Sequence, residues 1–481
     1  MAGFPYRSAH FIGVGGVGMS ATAMLLRDAG VMVTGSDEAV YPPISDVLRA
    51  EGLEARTPYG AANIPAGVEA IIIGKNAKLA PDTNAEVAEA FARGAPILSF
   101  ADVLGMLAAQ RTAIVAAGSF GKTTSVSLLA HCLIEGGIDP SYMIGAAPLS
   151  PPRSARLGAG DLMLLEGDEY PSSNTDNRSK FLHYKPAHLL LTPLAHDHVN
   201  VFPTVESYLA PFSQLVDLVP AQGLVLAATS GELSARFLAS VKRPVITYGV
   251  SHGEWQARDI VWGERTQFTI VRGTQDIVRC ETSQLGLHNI ENMLGVAALS
   301  LTLGLVTPEG FAAAMASFKG IRRRLDRKSE KTRIPMFEGF GSSDEKTISA
   351  IAAMKQHFGD KRLIVVFEPH TFSWRNRATL HWYDNSFHGA DKVFVWPPAE
   401  QGAGTHDQIG LADILTRLRE AGVDAEGLST DGGATEAIGA AMGEDCAVLF
   451  LSSGPLGGLI ESVPAWAEGR FPACLAGIII P

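Results

Sequence analysis

Short apolar runs alternate with helical stretches along the whole chain, and glycine- or acid-containing turns separate them. "AHFIGVGGVGMSATAMLLRDAGVMVTGSD" reads as strand, glycine turn, helix and strand. "AIIIGKNA" and "PILSF" read as further strands, apolar on both faces as buried parallel strands are. "TAIVAAGS" opens a second series, continued by "LMLLEGDEY", "AHLLLTPLAHDH", "LVLAATS", "VITYG" and "TQFTIV", with "HNIENMLGVAALSLTLGL" as a long helix. A third series follows: "RLIVVFEPH", "KVFVWPP" and "AVLFLSSGP" are strands, and "GLADILTRLREAG" is a helix between two of them. The charged stretch "FKGIRRRLDRKSEK" separates the second series from the third and is expected to be a linker. The pattern predicts an α/β protein of three domains over residues 1–105, 106–319 and 320–481. The first and third are expected to be Rossmann-like, and the central one a parallel sheet of the P-loop ATPase type.

Composition narrows the chemistry. A length of 481 residues suits about three domains at ordinary domain size. Net charge is −11, from 39 basic and 50 acidic residues, which argues against nucleic acid or an anionic membrane as a partner. Local basic groups are therefore expected to serve small anions. Cys132, Cys280, Cys446 and Cys474 form no paired motif and suit a reducing compartment. The start carries no secretory pattern and no apolar run approaches membrane-spanning length, so a cytoplasmic protein is expected. Oligomeric state is not legible.

Two glycine loops carry the candidate chemistry. In "VAAGSFGKTTSV", Gly118 and Gly121 allow a tight turn whose N–H groups point inward, and the helix that follows offers its positive end to an anion. Lys122 can reach outer phosphates, and the Thr123 hydroxyl suits Mg²⁺. Ser119 and Thr124 complete the loop. The strict pattern would place a glycine where Ala116 stands. The other loop, Gly13-x-Gly15-x-x-Gly18, lies between a strand and a helix, with Asp37 at the end of the next strand. That is the dinucleotide pattern with its ribose-binding acid, and the same geometry suits any diphosphate, including a nucleotide sugar, or a glycine turn without ligand. Two such loops favour an enzyme that joins an ATP event to a second nucleotide-linked substrate.

At these residues the chain resembles the Mur ligase family of bacterial cell-wall synthesis. The phosphate loop is similar to that family's shorter Gly-Thr-x-Gly-Lys-Thr-Thr, which accounts for Ala116, and "FIGVGGVGMS…VTGSD" resembles its UDP-binding segment. "VYPPISDVLRAEG", "EGDEYPSSNTDNRSKFLHYKP", "DHVNVFP" and "SFKGIRRRLD" resemble the branch that attaches L-alanyl-γ-D-glutamyl-meso-diaminopimelate to UDP-N-acetylmuramate during recycling. "FEPHTFS" leans toward the L-alanine-adding branch. The resemblance implies an ATP-dependent ligase that phosphorylates a carboxylate and lets an amine or short peptide displace the phosphate. It implies that Lys122 holds the outer phosphates, and that Thr123, Glu166 and His198 ligate Mg²⁺. It places His288, Asn289, Asn292 and Arg323 at ATP. Gly13, Gly15, Gly16, Gly18, Met19, Ser36, Asp37, Arg178, Lys180 and His370 are the matching candidates for a UDP-N-acetylmuramate-like substrate and its acceptor. Capping and solvation remain open for the asparagines and the basic linker.

Departures from the family pattern cluster. Ser119-Phe120 stand for Thr-His, and Ala195 for a glutamate. In "FEGFGSSDEK", Gly339 occupies the position of a ribose-binding acid, and Ser342 and Ser343 those of two histidines. In "FEPHTFSWRN", Thr371 and Trp374 stand where the alanine-adding branch presents arginines to a carboxylate, and neither can make that two-pronged contact. The expectation is an intact phosphoryl-transfer core with an altered acceptor pocket. A ligase for another acid or amine, a UDP-sugar-binding paralogue without turnover, and an NAD-dependent dehydrogenase built on the first loop remain as alternatives.

Overall fold

A computed structural model of the chain describes residues 3–41, 44–196, 201–399 and 407–473. Among these residues the strands form three sheets. The first contains β1 (Ser8–Ile12), β2 (Met32–Ser36), β3 (Ala55–Arg56), β4 (Ala70–Ile73) and β5 (Ile97–Leu98), in the order β3-β2-β1-β4-β5 and parallel throughout.

The second sheet comprises β6 (Thr112–Ala117), β7 (Ser141–Met143), β8 (Ala155–Arg156), β9 (Leu162–Gly167), β10 (His188–Leu191), β11 (Val225–Ala228), β12 (Ile246–Tyr248), β13 (Trp255–Val261), β14 (Thr266–Arg272) and β15 (Gln275–Thr282). Its order is β15-β14-β13-β12-β11-β10-β6-β9-β7-β8, with β8 antiparallel to β7. The third holds β16 (Arg324–Arg327), β17 (Met336–Gly339), β18 (Arg362–Phe367), β19 (Lys392–Val395), β20 (Ala425–Gly427) and β21 (Cys446–Leu451), in the order β16-β17-β21-β18-β19-β20. The fold is thus α/β with parallel-dominated sheets, as the alternating pattern predicts.

The chain separates into two compact units. One comprises Met1–Ile260, Phe268–Glu281 and His288–Phe318, and the other Val261–Gln267, Thr282–Leu287 and Lys319–Pro481. The first unit contains the first sheet and most of the second. Its central helix, Lys122–Glu135, is buried at every position from Thr123 to Leu133, as a helix enclosed within a domain must be. In the other unit, "RRRLDRKSEK" departs from the expected linker. Arg324–Arg327 pairs antiparallel with β17 as an edge strand. The reason is a buried charge cluster: Lys328 Nζ lies 2.7 Å from Glu338 Oε2 and 3.3 Å from Asp326 Oδ2, and these side chains are almost wholly covered. Arg323 and Leu325 accept positive φ to make that turn.

Within the first unit, the helix Phe100–Ala108 is tied down at its start. Asp102 Oδ2 accepts from Ser99 N and Oγ, while Oδ1 takes His183 Nδ1 at 2.9 Å. Burial works against the Asp102 charge, but the His183 and Ser99 hydrogen bonds outweigh it and hold the carboxyl down at about 2. An unfolded aspartate titrates near about 3.9, so this group contributes stability that is complete above that value and lost as pH falls toward 2. Urea midpoints measured between pH 5 and pH 2 should drop through that window, and Asp102→Asn should flatten the drop.

Candidate active site

The phosphate loop follows β6, which lies between β9 and β10, so residues after all three strands meet at one edge. Gly118 has φ +146°, and a Cβ there would stand 2.3 Å from Thr192 Oγ1, just beyond β10. Gly121 has φ +85°, and its Cβ would meet Asn292 Oδ1 at 2.3 Å. Both glycines are required by close approach as well as by backbone conformation.

Lys122 and Thr123 open the helix Lys122–Glu135, each facing a carboxylate beyond or at the end of β9. Lys122 Nζ donates to Gly118 O and lies 3.0 Å from Glu169 Oε2, whose side chain is only 2% exposed. Thr123 Oγ1 donates to Glu166 Oε1 at 2.7 Å, and Glu166 Oε2 accepts from Gly145 N at 2.9 Å. Two protein oxygens are a common share of a magnesium shell, with phosphates and waters supplying the rest. Thr123 and Glu166 fit that ion by chemistry and placement. Among the described residues no group of three or more His, Cys, Asp or Glu side chains is arranged for a metal. His198, the third expected ligand, lies outside the described residues.

Ser119 turns away from the loop's centre. Its hydroxyl donates to Ala195 O and accepts from Ala195 N, both at 2.7 Å, and meets Tyr208 Oη at 2.6 Å. Two departures from the family pattern therefore touch each other. Phe120 is exposed, whereas Thr124 is buried. Asn289 and Asn292 are both buried on the helix Leu287–Thr302, their amides 3.4 Å apart, while His288 is exposed at its start.

The other glycine loop is closed by its own acid. Asp37 Oδ2 accepts from Gly15 N at 2.8 Å, and Oδ1 accepts from Tyr59 Oη at 3.0 Å and Glu38 N at 2.8 Å. Gly13 has φ +90°, and a Cβ on Gly18 would press on the Phe100 ring at 3.1 Å. Gly16 has ordinary space around it, so sterics do not demand glycine there. Met19 is core, and Ser36 is fully buried with its hydroxyl on Glu86 at 2.6 Å. Glu86 also accepts from His10, Gly60 and Asn63. Burial raises its pKa, but these hydrogen bonds together hold it below the usual carboxylate range.

Lys180 lies 2.5 Å from Asp168 Oδ2 and 5.2 Å from the Phe100 ring centre, which places it beside the first glycine loop. Lys75, beyond β4, is depressed by burial and by the Lys180 charge. Arg178 is exposed and pairs with Asp176 at 2.6 Å. Sequence reasoning missed Glu169 and Lys75. The signal for Glu169 was its place in "EGDEY", directly beyond a strand that leads to this edge.

In the other unit, Arg323 donates to Ser453 O at 3.1 Å and lies 3.3 Å from Glu338. His370 Nδ1 meets Ser453 Oγ at 3.1 Å, so both candidates converge on one loop. The altered segments also lock together: Trp374 Nε1 donates to Gly341 O at 3.0 Å, and Thr371 Oγ1 to Ser342 O at 3.2 Å. Ser343 caps the helix Asp344–His357. Trp374 is wholly buried against Phe367, Tyr383 and Trp382.

Residues 8–112 match the Mur ligase family catalytic domain and residues 116–300 the Mur ligase middle domain. The UDP-N-acetylmuramate–L-alanine ligase of Desulfosudis oleivorans is 30% identical over 420 residues, 86% of this chain and 88% of that protein. The UDP-N-acetylmuramate:L-alanyl-γ-D-glutamyl-meso-diaminopimelate ligase structure from Neisseria meningitides is 30% identical, with a TM-score of 0.60 over 66% of this chain and 100% of that one. The UDP-N-acetylmuramate–alanine ligase structure from Thermotoga maritima shares the fold, with a TM-score of 0.76 at 20% identity over 96% of this chain and 99% of that one. A nucleotide-binding α/β enzyme is thus defined, and the chain belongs to the Mur ligase family. It is an ATP-dependent ligase.

Two outcomes test this geometry. Gly121→Ala, through its clash and left-handed φ, should weaken Mg-ATP binding about tenfold or more in calorimetry. Trp374→Ala should lower stability by about 3–5 kcal/mol in urea denaturation.

Proposed function

We propose that the protein joins an amine or short peptide to the carboxylate of UDP-N-acetylmuramate, as the muropeptide-adding relatives do, with a changed acceptor pocket. The observation that carries this reading is the double pairing at one strand end: Lys122 with Glu169, and Thr123 with Glu166. In this reading the first glycine loop receives the UDP diphosphate. Similarity to relatives named for UDP-N-acetylmuramate supports that substrate and a place in peptidoglycan metabolism.

The reaction runs in two steps. A carboxylate oxygen of the acid attacks the γ-phosphorus of ATP, and ADP leaves with the bridging oxygen. The acceptor amine then attacks the acyl carbon, phosphate departs and the amine loses a proton, leaving an amide. Lys122 exchanges its Gly118 carbonyl partner for a phosphate oxygen and neutralises charge as the phosphoryl group moves. Glu169 keeps the ammonium aimed from a buried position. A magnesium ion held by Thr123 and Glu166, with His198 as a further candidate, would offset the remaining phosphate charge. Arg323 and His370 are proposed to serve the nucleotide and the acceptor.

The acceptor is proposed to differ from free L-alanine. Trp374 is bound into an aromatic core and cannot be exchanged for a carboxylate contact without unpacking it. Phosphate release from Mg-ATP and UDP-N-acetylmuramate should be stimulated by L-alanyl-γ-D-glutamyl-meso-diaminopimelate far more than by L-alanine, with an amide product of matching mass. Stimulation by another amine would redirect the reading to a related ligase. Silence with every amine, despite UDP-sugar binding, would favour a paralogue that binds without turnover.

A further inference from the structure

Behind the first glycine loop lies a buried carboxylate that the proposed chemistry does not use. Glu86 sits in the first turn of the helix Ala85–Ala92, where Asn84 caps the start and the positive end of the helix favours an acid. Its side chain is wholly covered. Four donors converge on it: His10 Nε2 at 2.8 Å and Ser36 Oγ at 2.6 Å on Oε1, and Gly60 N and Asn63 Nδ2, both at 2.9 Å, on Oε2. An ionised carboxylate has about four acceptor sites, so this one is saturated and only accepts. His10 Nε2 therefore carries a proton, and its Nδ1 meets Thr34 Oγ1 at 2.7 Å. The acid thus gathers donors from β1, from β2 and from the segment between β3 and β4. A buried carboxylate is costly unless its sites are filled, and here they are.

Two hydrogen-bond chains lead from Glu86 to the loop. One passes through Ser36 at the end of β2, whose carbonyl accepts from Gly13 N at 2.9 Å and Val14 N at 3.0 Å. The other passes through Gly60 to its neighbour Tyr59, whose hydroxyl donates to Asp37 Oδ1 at 3.0 Å, and Asp37 Oδ2 takes Gly15 N at 2.8 Å. The N–H groups of Gly13, Val14 and Gly15 are thus oriented from one side chain that lies outside the loop. The loop then delivers the first turn of the helix Val17–Asp28, whose N–H groups have no acceptor within the helix and suit a diphosphate. We propose that Glu86 is a positioning residue for this loop: it holds the turn in the shape that receives the diphosphate of the nucleotide sugar, and touches no part of that ligand. This rests on the reading above that the first loop receives UDP. A loop held in its bound shape before the ligand arrives loses less freedom on binding, and so binds more tightly.

The test is calorimetric binding of UDP, and separately of Mg-ATP, to the full chain and its variants. Glu86→Ala should bind UDP about tenfold or more weakly than the wild type. Its Mg-ATP affinity should stay within about twofold, since the two glycine loops belong to different sheets. Glu86→Gln keeps an acceptor for Gly60 and Asn63 and offers an N–H to the Ser36 hydroxyl and to the other tautomer of His10. It should therefore return UDP affinity to within about threefold of the wild type. Lost structure alone reads differently: fewer binding sites per chain at an unchanged dissociation constant, or equal weakening toward both nucleotides. Either result overturns the inference, as does an unchanged UDP affinity in Glu86→Ala or a Glu86→Gln variant as weak as Glu86→Ala. If Glu86→Ala does not fold, Asn63→Ala decides, because it removes one donor and leaves the carboxylate in place. About threefold weaker UDP binding with Mg-ATP unchanged is then expected, and unchanged UDP binding overturns the inference. A wild type that binds UDP leaves the loop reading standing in each of these cases. A wild type that does not bind UDP overturns that reading and this inference with it.

Discussion

The reaction proposed for this enzyme depends on two contacts between the start of one helix and the end of one strand. Lys122 and Thr123 are adjacent in sequence, and each engages a glutamate from the β9 end. The constraint behind this is topological. β6 pairs in parallel with β9 on one side and β10 on the other, so the loops after all three emerge together. An ammonium with only 15% of its side chain exposed needs a fixed anion, and Glu169 supplies it. The helix that carries both residues is buried from Thr123 to Leu133, which fixes its backbone, and Lys122 is held further by the loop's Gly118 carbonyl.

Departures from the family pattern are coupled rather than scattered. Ser119 and Ala195 bond reciprocally through one hydroxyl. Gly341 and Ser342 supply the carbonyls that Trp374 and Thr371 occupy. A side chain that has become part of a packed aromatic cluster is no longer free to meet a ligand, and its neighbours are selected for packing instead. In the second unit the altered positions are thus filled with packed structure.

The first glycine loop shows a related economy. Asp37 closes on Gly15 and Tyr59, and Ser36 on Glu86. These polar groups brace the loop in its turn, with Gly15 N held by Asp37 and Gly13 N and Val14 N held by Ser36 O. Phe100 fills the space that Gly18 leaves and carries Lys180 above it, so the loop and the cation are positioned through one ring.

Alternating apolar runs and glycine punctuation determined the α/β class, strands in each of the three sheets, and both glycine loops, because these are local signals of period and backbone conformation, whereas β17, which leads into the altered "GFGSSDEK" loop, was not read as a strand. The same reading treated "FKGIRRRLDRKSEK", residues 318–331, as a linker. Its charge pattern could not reveal that Lys328, Asp326 and Glu338 neutralise one another from segments apart in sequence. It singled out Glu166 but passed over Glu169. Which of two nearby acids faces the lysine and which the threonine depends on how the helix and strand ends are packed. Tertiary structure alone decided that, since burial and partner geometry arise only when strands distant in the chain lie side by side.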